Sequence, residues 1–507
     1  MPASMSFRCL VPSLFVFFLL TSANAATLYV GPMEAYQTIQ AGIDAAAQGD
    51  VVIVRDGTYT GPGNYNIELK GKVLTLKAET GPSKCIIDAQ KQGRGFYIHS
   101  GETFMTVISG FKIINGAADY NGGRGIFCSS SPTIQNCIIT KCAAGTDQFM
   151  KYAPGGGMTI INGNPKIISC NISGNSTLGA GGGIYIYNAA PTIQGGTISA
   201  NSASSGGGIF ADKSAPIIRQ CTITGNGPGP VQGGGIYLGF TTGGTKLNHC
   251  TITGNKAQVG GGIYAMSGQP NGAYIANSII SGNTAQLEGG GIAFAAASED
   301  TSRSVVAFIE NSVISSNSSL GGLGGGGLLI PNPSEVRISS CTIDQNTAVT
   351  KGSAIAIQGS APRILNSTFQ GNKAKTAAGG TIFNQSASPY LHIVNSTFAD
   401  TTDAWISGQS NVFARNCIFW GNSAGFKTPK TMLAITYSDV KGGLPKAGNI
   451  DADPRFVDAA NGDFRLQGDS PCIDTGTNSV FGMKVTLDKG AKARPANQVL
   501  DMGAYEY

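Results

Sequence analysis

The same two phrases return about every 27 residues through the middle of the chain, and a period of that size belongs to architectures that stack one small unit upon the next. The first phrase is a glycine run followed by an aliphatic residue: Gly155 to Met158, Gly181 to Ile184, Gly206 to Ile209, Gly233 to Ile236, Gly260 to Ile263, Gly289 to Ile292 and Gly325 to Leu328. The second is a small residue, an aliphatic residue or Phe two positions on, and Asn beyond it. It reads Cys170-Ile172-Asn175, Gly196-Ile198-Asn201, Cys221-Ile223-Asn226, Cys250-Ile252-Asn255, Ser278-Ile280-Asn283, Ser312-Ile314-Asn317, Cys341-Ile343-Asn346 and Ser367-Phe369-Asn372. Within each copy the apolar residues alternate, as in Ile184-Tyr185-Ile186, which is the period of a strand and too short for a helix.

A proline and a short apolar pair often stand between the phrases, as in Pro132-Thr133-Ile134 and Pro216-Ile217-Ile218, so each repeat holds about three short strands separated by turns. One such coil cannot bury its inner face alone, whereas stacked coils pair each strand in parallel with its copies above and below. The expected fold is therefore all-β, a right-handed parallel β-helix solenoid of roughly 14 coils and on the order of 65 Å in length. Its exposed first end needs a lid, and Tyr36 to Ala47 reads as a short amphipathic helix with Ile39 and Ile43 one turn apart, ahead of the strand Val51 to Val54. The body is expected over residues 26–430 and irregular final coils with a C-terminal cap over residues 431–507.

Stacking turns repeat positions into ladders. Asn136, Asn277, Asn311, Asn366, Asn395 and Asn416 share a place just before the small residue, where a sharp bend suits a side chain that tolerates left-handed backbone. Cys137, Cys170, Cys221, Cys250, Cys341 and Cys417 share the small inward place itself, which Gly or Ser fills elsewhere, so they read as a buried thiol file rather than a disulfide framework. His249 stands at the Asn bend and reads as a turn residue.

Composition narrows the class. Charged residues make up only 12% of the chain against a usual share of about 25%, and 41% is hydrophobic, which excludes a disordered chain. The 73 glycines follow no three-residue period, which excludes collagen. With 34 basic and 29 acidic residues and no dense basic run there is no footprint for nucleic acid. Residues 1–25 read as a signal peptide, with Arg8 before the apolar run Leu10 to Leu20 and small residues at Ala23-Asn24-Ala25. That run is too short to span a bilayer, and no later stretch supplies a transmembrane segment. An exported monomer, extracellular or at a bacterial cell surface, is expected.

The helix-then-strand opening and the repeats resemble the pectin-lyase-like right-handed β-helix superfamily, and the glycine and Asn phrases are also similar to repeats of polymorphic outer-membrane proteins and related adhesins. Asn449 to Asp458, Asp463-Phe464-Arg465-Leu466, Ser470 to Gly476, Arg494-Pro495 and Asp501 to Glu506 look like the choice-of-anchor Q domain of bacterial secreted proteins. The resemblance implies either a surface-associated, adhesin-like scaffold or an enzyme on acidic polysaccharide. The motifs of polygalacturonases and pectate lyases are absent, and the acids of the repeats do not fall in register, which weighs against hydrolysis and conventional elimination. The alternative is a polysaccharide lyase, glycoside hydrolase or epimerase with a divergent site.

The candidate catalytic positions are Asp88, Arg94, Asp119 and Arg124, with Lys112, in the early coils, and Glu299, Asp300 and Arg303 in a long repeat. Tyr185, Phe210, Tyr237 and Tyr264 follow the glycine phrase at one outward position and should stack as an aromatic file, flanked by Tyr187 and Asp212. Aromatic faces suit sugar rings, so this file is the expected binding surface for a polysaccharide or cell-surface glycan. No metal site is expected: Asp451, Asp453, Asp458 and Asp463 lack the spacing of a calcium loop, calcium is unsupported, and no cofactor is implied.

Overall fold

The computed structural model describes residues 25–507 apart from 144–149, 228, 230, 241–243, 267–271, 296–304, 332–333, 361, 377–378, 386–389, 400–402, 410, 422–424, 483–485 and 498. The signal peptide read in residues 1–25 lies, but for its last residue, outside the described residues. Among the described residues the strands form parallel sheets of 16, 15, 13 and 5 strands and one antiparallel pair. Each turn contributes one strand to each of the three large sheets, giving a right-handed parallel β-helix of about 13 turns where roughly 14 were expected. No described helix is long and apolar enough to cross a membrane.

The pairing is residue for residue. In the second sheet Ile198 sits beside Ile223, Ile223 beside Ile252 and Ile252 beside Ile280, so identical inward side chains stack into continuous files. These residues are at most 2% exposed and belong to one core that runs the length of the rod. Between the first and second sheets the chain turns through a left-handed residue: Asn136, His249, Asn277, Asn311, Asn366, Asn395 and Asn416 have φ between 48° and 53°. The turn after the second sheet is held by a buried Asn ladder. Asn201 Nδ2 donates to Asn226 Oδ1 at 3.1 Å and to the Ile172 carbonyl at 2.8 Å, and the pattern continues through Asn255, Asn283, Asn317 and Asn346 to Asn372.

The glycine runs answer to that ladder. A Cβ on Gly208 would lie 2.5 Å from the Gly235 carbonyl oxygen and 3.1 Å from Asn226 Nδ2, so nothing larger fits beneath the amides. Where the ladder stops after Asn372, the equivalent place is taken by Thr381 and then Trp405, whose indole packs on Phe419 and Phe426 at 5.5 and 5.0 Å. The described cysteines are all buried and unbridged, including Cys221 and Cys250 one coil apart.

Three features depart from the sequence expectation. The first sheet begins before the capping helix, at Thr27–Val30, which pairs with Val51–Val54. The helix itself is shorter, Ile39–Ala45, with Thr38 Oγ1 accepting from the Ala41 amide; Gly42 is required because a Cβ there would lie 2.3 Å from Val30 Cγ2. Several coils carry a fourth strand beyond the Asn ladder, Lys256–Val259, Thr284–Glu288, Ser318–Ser319, Thr347–Ala348 and Lys373–Ala374.

At the far end Leu433–Thr436 and Asp439–Val440 complete the first two sheets and Leu444 packs against the core. The chain beyond Phe456 does not extend this cap. It folds back along the outer face of the second sheet, with Lys489 Nζ on Thr342 Oγ1 at 2.7 Å, Ala504 N on Thr397 Oγ1 at 3.1 Å and Asn366 Nδ2 on the Leu487 carbonyl at 2.7 Å. A buried ion pair, Arg494 Nε to Glu506 Oε2 at 2.9 Å, holds this segment together, and Arg494 also donates to the carbonyls of Asp501 and Gly503.

Candidate functional site

The outer face of the 13-stranded sheet brings the four residues of the expected aromatic file into one column. In register order it reads Tyr97, Phe127, Thr159, Tyr185, Phe210, Tyr237, Tyr264 and Ala293. Strand alternation points each outward while its neighbours, such as Ile184 and Ile186, enter the core.

The aromatic file forms as a ladder. Ring centroids are 5.3 Å apart for Tyr185 and Phe210, 4.5 Å for Phe210 and Tyr237, and 5.2 Å for Tyr237 and Tyr264, with planes within 18° of parallel. The ladder differs from the flat apolar surface expected. Each inner ring has its faces against the rings above and below, so edges and phenol hydroxyls border solvent. The last ring is withdrawn further: Tyr264 is 7% exposed and joins Ala293, Leu329 and Ala356, with Val259 and Leu323 alongside, in a small second core outside the sheet. The corner formed by the fourth strands overhangs it. Burial raises the Tyr185, Tyr237 and Tyr264 phenol pKa values, Tyr237 to about 12, so the hydroxyls stay protonated. Tyr237 Oη lies 2.9 Å from Met266 Sδ, and Gln232 Nε2 donates to Tyr264 Oη at 3.3 Å.

Tyr185 stands at the open end of the ladder, since the next position in the column is the shorter Thr159. Beside it Tyr187 lies nearly parallel at 6.4 Å, and Lys213 Nζ donates to Tyr187 Oη at 3.0 Å, raising the lysine pKa. Tyr187 pairs in register with Asp212, whose Oδ1 accepts from the Phe240 amide at 3.0 Å. A hydroxyl, a carboxylate and an ammonium thus border the first ring.

At the N-terminal end of the same column the guanidinium of Arg94 lies over the rings of Tyr97 and Phe127, 4.9 and 5.5 Å from their centroids. Its side chain is 7% exposed, donates Nε to the Gly122 carbonyl at 3.0 Å and forms an ion pair with Asp119. The pair borders a pocket of about 310 Å³ lined also by Asn66, Lys91, Gln92 and Gly93. Sequence reasoning missed Tyr97 and Phe127, although both precede the ladder at the same outward place; the irregular early coils hide the period.

The other early candidates go elsewhere. Asp88 Oδ1 accepts from the Gln90 amide and from Asn115 Nδ2, both at 2.9 Å, and caps a corner of the second sheet. Lys112 points outward from that same sheet. Arg124 is 1% exposed and donates to the Ala153 carbonyl at 3.3 Å; burial pulls its pKa down to about 10, and it does not meet the Arg94 pocket. Glu299, Asp300 and Arg303 lie outside the described residues. In the C-terminal acidic run Asp458 Oδ1 accepts from the Asn461 amide, Asp463 pairs with Arg465 and Asp453 Oδ1 accepts from the Arg455 amide. Among the described residues no group of three or more His, Cys, Asp or Glu is placed to hold a metal ion.

Among solved structures the chain is similar to pectate lyase Pel9A at 14% identity, over 96% of this chain and 97% of that one, with a TM-score of 0.28. It is similar to the A-module of the mannuronan C-5 epimerase AlgE4 of Azotobacter vinelandii at 15% identity, over 80% and 95%, with a TM-score of 0.31. It is similar to a pectin methylesterase from carrot at 10% identity, over 73% and 90%, with a TM-score of 0.26. No curated protein sequence matches it significantly. The family described as the right handed beta helix region matches residues 83–278, 231–398 and 271–431, more than half of the chain. With its residue-for-residue coils and this match, the chain belongs to the right-handed β-helix family.

Proposed function

We propose that the protein is an exported, non-catalytic scaffold that binds polysaccharide along the outer face of its 13-stranded sheet, extracellularly or at the cell surface. One observation carries the reading: Tyr97 and Phe127, the rings beneath the Arg94 guanidinium, and the aromatic ladder fall in one register column, Tyr97 to Tyr264, parallel to the rod axis. That column spans on the order of 30 Å at one strand spacing per coil, a length suited to several sugar rings. A sugar polymer laid there meets ring edges, the Tyr185 end of the ladder and the polar rim of Tyr187, Asp212 and Lys213, and its hydroxyls can bond to both donors and acceptors.

The described lining of the Arg94 pocket supplies one carboxylate, Asp119, already paired. Glycoside hydrolysis needs two carboxyl groups about 5 to 10 Å apart, so this arrangement favours binding over cleavage. A divergent lyase, hydrolase or epimerase would place its chemistry at this pocket, and Asp119→Ala would then abolish turnover. The test of the binding reading is affinity electrophoresis of the mature chain in gels containing neutral or uronic-acid polysaccharides. Retardation by at least one polymer, weakened in Tyr185→Ala/Tyr187→Ala with unchanged circular dichroism, supports it; migration that no polymer alters contradicts it.

A further inference from the structure

Charge is sorted among the three faces of the rod. Over the coils from Lys166–Ile168 to Arg363–Leu365 the strands of the second sheet contain one charged residue, Asp344, and those of the 13-stranded sheet also one, Asp212. The strands of the 16-stranded sheet in the same coils carry Lys166, Arg219, Lys246, Arg337 and Arg363 against Glu310 and Glu335. All seven point outward. A chain whose formal charge is only +5 thus gathers much of its positive excess on one face of the solenoid.

Lys166, Lys246, Arg337 and Arg363 fall in one register column, with Ile217, Tyr274 and Phe308 between them. The column runs on the order of 34 Å at one strand spacing per coil. Among the described residues none of the five cations forms an ion pair. Arg219 donates to Gln194 Oε1 at 2.6 Å, while Lys166 and Arg337 lie over the rings of Phe104 and Phe308 at 5.0 and 5.7 Å. Glu310 is engaged by the Tyr274 hydroxyl at 2.8 Å. Arg337 and Arg363 stand directly opposite one another, where like charges destabilise a sheet, and neither is paired with Glu310 or Glu335. A bound anion would offset that repulsion.

Apolar groups are exposed on the same face. Ile217 and Tyr274 rise from its strands, and Phe104 and Met105, each 60% exposed, stand at its edge beside Lys166. Past Arg363 the face is closed by the C-terminal segment, whose Phe481 packs on His392 and Phe413 with centroids 5.6 and 5.9 Å apart. The open part therefore combines unpaired cations on long apolar stems with exposed aromatic and aliphatic side chains. Such a surface matches the boundary between lipid headgroups and acyl chains, where ammonium and guanidinium groups reach phosphates and apolar groups enter below them. The cations skip coils irregularly along the column, which suits headgroups that are free to rearrange better than a polymer of fixed repeat.

We propose that the open face of the 16-stranded sheet docks the protein on an anionic lipid surface. Charge complementarity selects the occupant, and the rod lies along the membrane with the sheet face against the headgroups. This face is separate from the polysaccharide-binding column on the 13-stranded sheet, so either reading can fail without the other.

The experiment is co-sedimentation of the mature protein with vesicles of phosphatidylcholine alone and of an equal mixture of phosphatidylcholine and phosphatidylglycerol. Expected are sedimentation with the mixed vesicles only and release by added salt, which screens exposed charge. Arg337→Glu/Arg363→Glu alters outward positions and leaves the core untouched; with unchanged circular dichroism it should weaken partitioning on the order of thirtyfold or more. Lys373→Glu/Lys375→Glu removes the same charge from exposed positions at the fourth-strand corner and should partition as the wild type does. Failure of the wild type to sediment with the mixed vesicles overturns the proposal, as does equal loss in the two variants, which would assign the attraction to net charge alone. Retention on immobilised dextran sulfate that Arg337→Glu/Arg363→Glu loses, with no vesicle binding, also overturns it and reassigns the face to an anionic polymer.

Discussion

The side-chain amide of Asn226 donates to Asn255 Oδ1 at 3.0 Å while the backbone amide of Asn226 donates to that same oxygen at 3.0 Å. Each Asn thus joins its coil to the next by side chain and main chain together, with both residues at most 1% exposed. Replacing Asn255 by Ala takes the acceptor from the Asn226 backbone amide and removes one bond each from Asn226 Nδ2, which keeps the Ile198 carbonyl, and from the Ile223 carbonyl, and buried unpartnered groups cost about 1 to 3 kcal/mol each. Asn255→Ala should lower the unfolding free energy by roughly 3 to 5 kcal/mol, read from denaturant titration; a change under about 1 kcal/mol would show that the ladder contributes little.

The glycine runs yield a sharper steric prediction. A Cβ on Gly207 would lie 2.7 Å from the Gly234 carbonyl oxygen and 2.9 Å from the Gly227 nitrogen, backbone atoms that cannot swing aside. Gly207→Ala should destabilise by about 3 kcal/mol, whereas Gly225→Ala meets open space and loses only the left-handed preference of a residue at φ 61°. Thermal melts of the two variants should therefore separate clearly, with Gly207→Ala the lower.

Along the aromatic ladder the two ends should behave differently. Tyr264 sits in the outer core and its removal should cost roughly 3 kcal/mol, while half-buried Tyr185, with one ladder neighbour, should cost about 1 kcal/mol. Equal losses of stability in the two alanine variants would contradict the overhanging corner.

Asp439 gives the joint between rod and C-terminal segment a pH dependence. It is fully buried, accepts from the Ala452 amide at 3.2 Å and takes a hydrogen bond from Cys472 Sγ at 3.4 Å, while Asp451 and Asp453 stand near. Burial raises its pKa to about 7. A carboxyl whose folded pKa exceeds its unfolded value keeps its stabilising effect below about pH 4, and loses it as pH rises through about 7. Stability should decline across that window by an amount on the order of a few kcal/mol, and Asp439→Asn should flatten the decline; an unaltered profile in that variant would assign the effect elsewhere.

The buried thiols should be inert in the native state. Burial pushes Cys221 and Cys417 up to about 12 and Cys341 to about 11, which suppresses the thiolate. An aromatic disulfide reagent should find no fast-reacting cysteine until denaturant is added, after which the thiols should all react; a rapid native phase would show that the file opens.

Much of this architecture can be read from repeat positions alone. Asn136 and Asn416 reveal their bend, and Asn175 to Asn372 their ladder, because stacking demands one residue type at one place in every coil. The fold-back of the C-terminal segment could not be read in that way: the bond from Lys489 to Thr342 joins residues 147 positions apart and no period links them. For the candidate site, alternation told which way Tyr264 points but not that a neighbouring corner covers it. Arg94 and Asp119 were legible only as two of the five charged residues spread over the early coils; their pairing, and Tyr97 and Phe127 beneath the guanidinium, became visible only once those coils were in register.

The most direct test of the account is to incubate the mature chain with a panel of neutral and uronic-acid polysaccharides, with and without calcium, and to measure both polymer retention and the release of reducing or unsaturated sugar ends. The account predicts retention of at least one polymer with no product. Product release would make the protein an enzyme and move its chemistry to the Arg94 and Asp119 pocket, and absence of any retention would contradict a polysaccharide-binding scaffold.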